Sequence, residues 1–269
     1  MAFSFGGSTI HMPPPSYPAG AAAYEHQRAM GVDVLQPTAA ASAHHQHLGL
    51  NAAFLPAATA FRVWPCAKEL GEWLHESPAA PKLSGLSVLE LGAGCGLAGF
   101  AASLAGAASV CLTELPENVP RLHELIASNA RASVSAVALD WTQPLPPAIA
   151  ATRWDVILAS DLVFWPGLFE PLLRTIAGLH AAAAARGEPP PRAFLAMTDR
   201  LGRARQFAAA AREAGWVLDA LQPCTATGAR APPAQSLEAL RREACELYEL
   251  RGPALIRSLG ISCTPRLPA

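Results

Sequence analysis

Val88-Leu89-Glu90-Leu91-Gly92-Ala93-Gly94-Cys95-Gly96-Leu97-Ala98-Gly99 decides the fold. An apolar strand runs into a glycine turn and then into the start of a small-residue helix. Glycines let the backbone turn sharply and approach a ligand closely, and the helix N-terminus offers unpaired N–H groups to an anion. The uncharged run continues from Leu91 to Thr113, long enough as one helix (about 34 Å) to cross a bilayer. Its glycines Gly92, Gly94, Gly96, Gly99 and Gly106, and the acids Glu90 and Glu114 that bracket it, exclude a membrane span. It divides instead into a strand end with its turn, a helix and a second buried strand.

From Phe61 onward, short apolar runs alternate with amphipathic stretches, the pattern of a parallel sheet with crossover helices. The periodicity predicts helices at 64–76, 97–105, 117–129, 168–183 and 203–214. It predicts strands at 86–91, 108–113, 134–139, 154–160, 192–198 and 216–221, while Ala244 to Arg251 reads equally as a seventh strand or as the end of a helix from Gln235. The expected class is therefore α/β, a Rossmann-like, mostly parallel sheet with helices on both faces. Residues 1–60 are expected as an N-terminal arm: Phe3-Ser4-Phe5 and Ser8 to Met12 form a hairpin around Gly6-Gly7, followed by a low-complexity linker. The domain is drawn at 61–251 and a C-terminal tail at 252–269.

Twenty Lys and Arg against 21 Asp and Glu give a net charge of −1, which argues against a general polyanion binder, so no nucleic-acid partner is expected. The hydrophobic fraction of 51% is inflated by alanine, leaving a core of ordinary size. Six cysteines show neither C-x-x-C nor zinc-ligand pairing with His. Free thiols in a reducing compartment, cytoplasmic with the nucleus as second choice, are expected, since no secretory signal precedes the domain. The His44-His45-x-His47 cluster has no acid or Cys partner nearby and reads as linker, so no metal is expected.

Two cofactors could use the glycine turn. Gly94 to Gly99 satisfies G-x-G-x-x-G, the dinucleotide fingerprint of an NAD(P)-dependent oxidoreductase. The overlapping Glu90-x-Gly92-x-Gly94-x-Gly96 is the pattern that S-adenosylmethionine enzymes place around the methionine end. Glu114, just past the second strand, suits the ribose hydroxyls of either. Glu90 inside the strand, where dinucleotide folds keep an apolar residue, and Asp140-Trp141 after the third strand favour S-adenosylmethionine: the carboxylate can accept from adenine and the indole can cover its face.

Several segments together resemble the eukaryotic seven-strand methyltransferases of methyltransferase-like family 16, a group rich in non-histone protein lysine methyltransferases. They are Val63-Trp64-Pro65, Val88 to Gly96, Glu114, Leu139-Asp140-Trp141, Asp155 to Phe164, and Leu168 to Ile176. The resemblance implies a class I seven-stranded sheet and an adenosine pocket lined by Trp64 and Trp141. It implies further that Gly92, Gly94 and Gly96 hold the methionine end, that Glu114 binds ribose, and that Ser160 and Asp161 face cofactor and substrate. Asp161 to Phe164 matches the family's acid-x-x-aromatic motif, and Asp161 and Phe164 are the expected catalytic pair. A carboxylate can orient the acceptor amine, and an aromatic wall can hold its alkyl stem and cationic product. Many relatives carry Tyr where this chain has Phe164, which bears on substrate type because Phe has no hydroxyl to hydrogen-bond.

The leading expectation is S-adenosylmethionine-dependent methylation of lysine in a protein substrate by a monomer. Arginine or a small amine is the alternative within the class. Arginine calls for two carboxylates around one guanidinium, for which Asp161 and Glu170 are the nearest pair. A cofactor-binding interaction module without turnover is the alternative outside it.

Overall fold

A computed structural model describes residues 2–12, 63–199, 202–221 and 245–253. The hairpin forms first, from β1 (Ala2–Phe5) and β2 (Ser8–His11). Then follow α1 (Pro65–Glu76), β3 (Ser87–Leu91), α2 (Leu97–Leu104), β4 (Ser109–Glu114), α3 (Val119–Ser128) and β5 (Val134–Ala138). The second half comprises α4 (Pro147–Ala151), β6 (Val156–Ser160), α5 (Phe169–Ala185), β7 (Arg192–Thr198), α6 (Arg203–Glu213), β8 (Val217–Leu221) and β9 (Cys245–Arg251).

The seven-stranded sheet runs β5-β4-β3-β6-β7-β9-β8, parallel except for β9, which pairs antiparallel with both β7 and β8. Ala244 to Arg251 is thus resolved as a strand from Cys245, and it slots between β7 and β8. β3 lies between β4 and β6 and turns both faces to protein, which is why it carries no exposed side chain and reads as an apolar run. Val88 and Glu90 point to the layer of α1, α2 and α3, while Leu89 and Leu91 point to the layer of α4, α5 and α6. Chain order reverses at β3, because β4 lies on one side of it and β6 on the other. Open α/β sheets bind ligands beyond the carboxyl ends of the strands at such a switch point.

Three expectations change. Glu114 is the last residue of β4 and not a loop residue beyond it, so the strand fixes its position. The N-terminal hairpin is not an arm standing apart from the domain. Phe5, Ile10 and Met12 are buried in the same cluster as α1 and α2. A Cβ on Gly71 of α1 would sit 2.8 Å from the Phe5 ring, so the missing side chain there is the hairpin's seat. Phe5 also stacks on His75 at 5.6 Å, and Asn129 exchanges two hydrogen bonds with the backbone of His11, accepting at 2.8 Å and donating at 2.9 Å. At the other end Gly252 packs on His180 and Trp216, which extends the folded body past the predicted boundary at 251. The His44 cluster, the linker and the start of the alternative helix at Gln235 lie outside the described residues.

The short helix α4 escapes the sequence periodicity because five residues do not complete two turns. Among the described residues no helix is long and apolar enough to cross a membrane, and Cys66, Cys95, Cys111 and Cys245 are free thiols.

Candidate active site

The β3–α2 turn is the floor of the site. Gly92, Gly94 and Gly96 all take left-handed backbone angles, with φ of 55°, 54° and 73°. At Gly92 the lack of a side chain is also a packing requirement: a Cβ would meet Leu162 Cδ2 at 2.7 Å and the Trp141 ring at 2.9 Å. Trp141, from the loop after β5, therefore lies directly against the glycine turn. Its indole Nε1 is buried without a hydrogen-bond partner among the described residues.

Glu90 is fully buried, and it acts on the turn from beneath. Its Oε2 accepts from the backbone N–H of Gly99 at 2.8 Å, in the first turn of α2. Gly96, the residue that starts this helix, has no side chain to cap it, so Glu90 supplies the missing acceptor from the neighbouring strand. Burial pushes the Glu90 carboxyl up to about 8; the Gly99 N–H opposes the shift and nearby Glu114 adds to it. Its second oxygen, Oε1, finds no hydrogen-bond partner among the described residues.

Glu114 ends β4 beside the same turn. Its Oε1 accepts from Gly94 N–H at 3.3 Å, and its Oε2 accepts from Leu115 N–H at 2.6 Å and from Asn118 Nδ2 at 3.0 Å. Burial raises its pKa, against the pull of these three donors. A carboxylate has about four acceptor sites, so this geometry leaves capacity for a ligand hydroxyl. Asp140 accepts from the N–H and hydroxyl of Thr142 at 2.9 and 2.7 Å, a turn that fixes the direction of the chain into Trp141.

The opposite wall comes from the end of β6. Ser160 closes the strand and is buried. Asp161 follows in a left-handed conformation, φ 56°, which Asp tolerates better than most side chains. Its N–H continues the ladder to Ala196 O at 2.8 Å, and its Oδ2 accepts from Cys66 N–H at 3.3 Å, in the first turn of α1. Trp64 caps the same helix end by its backbone, accepting from Ala67 N–H at 3.1 Å, and is half-buried. Behind Asp161, Cys66 Sγ and Thr198 Oγ1 lie 3.1 Å apart. Contact with Cys245, burial and the Asp161 charge all push the Cys66 thiol far above its ordinary range. Asp161, Val163, Phe164, Thr198 and Arg203 line one small pocket. An apolar pocket lies next to it, shared through Val163 and lined also by Leu162 and Leu172.

Gly92, Trp141, Gly94 and Glu114 thus meet around one turn, and Asp161 and Phe164 share a second pocket. Glu170, by contrast, is exposed and occupied by Arg174 at 3.0 Å, whose Nη2 also donates to Trp141 O. It does not join Asp161 in a two-carboxylate grip. Asn118, Leu162, Cys66, Thr198 and Arg203 were not predicted. Only Asn118, four residues after Glu114 across a Pro-Glu turn, left a trace in the sequence.

A family model described as "Lysine methyltransferase" matches residues 45–188, more than half of the chain. The chain belongs to this family. Human "Histone-arginine methyltransferase METTL23" is 35% identical over 118 residues, 42% of this chain and 60% of that protein. Mouse "Protein N-lysine methyltransferase METTL21A" is 29% identical over 161 residues, 58% of this chain and 72% of that protein. The chain spans about half the length of the first curated relatives it matches. Among solved structures, the mitomycin 7-O-methyltransferase MmcR superposes with a TM-score of 0.53 at 16% identity, over 90% of this chain and 74% of that one, a likeness of fold. The cofactor of the family is S-adenosylmethionine, and the site fits it. Trp141 Nε1 and Glu90 Oε1 lack partners among the described residues, the turn exposes backbone through glycine, and Glu114 keeps acceptor capacity.

Proposed function

We propose that this chain is an S-adenosylmethionine-dependent N-methyltransferase that methylates a lysine side chain of a protein. The observation that carries the reading is Asp161, held in a left-handed turn by the N-terminus of α1 and sharing a pocket with Phe164. S-adenosylmethionine supplies an activated sulfonium methyl. Glu114 would hold ribose hydroxyls, Trp141 and Trp64 would cover the adenosine, and Asp140 and Ser160 would border it. Gly92, Gly94 and Gly96 would let the backbone approach the methionine end, with Glu90 keeping α2 in place below.

Asp161 Oδ can accept a hydrogen bond from the acceptor amine and so aim its lone pair. Phe164 and Val163 can hold the apolar stem, and the Phe164 face favours the cationic product. This division of labour accounts for a small pocket with a carboxylate and an aromatic wall, which a flexible lysine stem can enter.

Arginine is the second reading, because relatives at 32–35% identity are named as histone-arginine methyltransferases. Against it stands Glu170, committed to Arg174 and solvent, which leaves Asp161 without the second carboxylate that a guanidinium fork calls for. We further propose that the chain works as a monomer, in the cytoplasm with access to the nucleus.

The test combines two measurements. S-adenosylmethionine, and not NAD or NADP, should raise the melting temperature, since a ligand that binds only the native state stabilises it by mass action. Labelled methyl groups should then pass to proteins of a methyl-depleted extract with the native chain and not with Asp161→Asn. Cofactor binding without any transfer would leave a binding module, and stabilisation by NAD alone would overturn the reading.

A further inference from the structure

The pocket that holds Asp161 and Phe164 also contains a cation. Arg203, the first residue of α6, is half-buried and lines that pocket with Asp161, Val163, Phe164 and Thr198. For a site that receives a lysine, this is an electrostatic anomaly, because a guanidinium beside the entering ammonium repels it.

The helix itself gives no reason for the charge. A cation in the first turn of a helix opposes the macrodipole, and α6 has no acidic residue in that turn to offset it. Its neighbour Arg205 is accounted for: it pairs with Asp199 at 2.7 Å, and Asp199 also accepts from the N–H groups of Ala204 and Arg205 at 3.0 and 3.3 Å, capping the helix. Arg203 is not. Its Nη1 donates to the neutral amide oxygen of Gln206 at 2.8 Å, and among the described residues no carboxylate lies within ion-pair distance of it. The capping acid of the same turn is already taken, so among the described residues the guanidinium at the pocket wall has only the Gln206 amide as a partner.

We propose that Arg203 is a specificity-determining residue that reads a carboxylate adjacent to the acceptor lysine, so that the preferred substrate is a lysine with Asp or Glu beside it in sequence. The proposal rests on the lysine reading above. The acidic neighbour supplies Arg203 with the carboxylate that no described residue gives it, and it offsets the repulsion felt by the incoming amine. It also makes the pair of charges on the substrate complementary to the pair in the pocket, lysine to Asp161 and carboxylate to Arg203. Electrostatic matching of this kind sets partner choice more than overall affinity.

The experiment uses the full chain saturated with S-adenosylhomocysteine and fluorescent peptide pools centred on one Lys. Glu flanks the lysine in one pool and Gln in the other. Binding is read by anisotropy, so it is independent of turnover, and methyl transfer is measured in parallel with S-adenosylmethionine. The native chain should bind the Glu pool about three- to tenfold more tightly, the range of a partly buried charge pair. Arg203→Gln should remove that preference while leaving S-adenosylmethionine affinity unchanged, Arg203→Lys should keep part of it, and Arg203→Glu should reverse it. Equal binding of both pools by the native chain would overturn the proposal. So would an Arg203→Gln variant that keeps the preference, or one that only shifts the pH dependence of transfer, since the charge would then act on the amine. Flank-dependent binding with no methyl transfer to either pool would uphold the role of Arg203 and overturn the lysine methylation reading instead.

Discussion

Gly92→Ala is the substitution that most directly probes how the cofactor turn is built. The added methyl meets two separate penalties. A left-handed backbone costs an L residue about 1–2 kcal/mol. The methyl would also sit 2.7 Å from Leu162 and 2.9 Å from Trp141, closer than side chains pack, and overpacking of that kind costs about 1–3 kcal/mol. Together they predict a loss of about 2–5 kcal/mol, or roughly 5–15 °C in Tm for a domain of this size. Gly187 separates the two terms. It has a similar left-handed φ of 72°, but nothing lies within 4 Å of the Cβ it would gain. Gly187→Ala should therefore cost only the backbone term, about 1–2 kcal/mol. Thermal unfolding gives both numbers. Calorimetric titration with S-adenosylmethionine gives the functional counterpart: Gly187→Ala should bind normally, whereas Gly92→Ala, which must displace Trp141 or Leu162, should bind about tenfold or more weakly. If Gly92→Ala loses no more stability than Gly187→Ala, or binds cofactor normally, the placement of Trp141 against the turn is wrong.

Three further outcomes are expected. Glu114→Ala should weaken S-adenosylmethionine binding by about 10- to 100-fold, the worth of hydrogen bonds to a charged group, and a calorimetric titration showing unchanged affinity removes Glu114 from the ribose. Asp161→Asn keeps a side chain that accepts the left-handed turn, so cofactor affinity and Tm should stay near those of the native chain while methyl transfer falls at least about 100-fold in a labelled-methyl assay. Glu90 sets a pH dependence of stability: its folded pKa, about 8, lies above the ordinary 4.5. The native state therefore binds the proton more tightly than the unfolded chain, and this contribution is full below 4.5 and is lost as pH rises toward 8. Denaturant midpoints followed from pH 5 to 8.5 should show that decline in the native chain and a flatter curve in Glu90→Gln; parallel curves would show that Glu90 is not the group responsible.

The sheet was legible because its central strands are buried on both faces, so Val88–Leu91, with Glu90 as its one charge, Val110–Thr113 and Val156–Ser160 read as predominantly apolar runs among amphipathic helices. The residues of the cofactor turn were legible for a related reason: Gly92, Gly94, Gly96 and Glu114 are close in sequence to the strand ends that place them. What the sequence left obscure depends on contacts between distant segments. Glu90 reads as a cofactor residue by its motif, yet its carboxylate serves Gly99 and the start of α2, a contact made by strand-to-helix packing. Cys66 of α1 donates to Asp161, and Thr198 of β7 and Arg203 of α6 line its pocket; the adjacency of these three elements is set by sheet order and not by any local pattern. The hairpin was visible as alternation around Gly6-Gly7, but its union with the core depends on Gly71 and Asn129, far along the chain.

The central claim is that Asp161 and Phe164 form a pocket for a single lysine amine. Its most direct test is the chemical identity of the methylated residue when the full chain is incubated with labelled S-adenosylmethionine and a methyl-depleted extract, and the labelled proteins are analysed by mass spectrometry. Label is expected on the side-chain nitrogen of lysine, absent with Asp161→Asn. Label confined to arginine would contradict it, because Asp161 without Glu170 gives no two-carboxylate grip on a guanidinium.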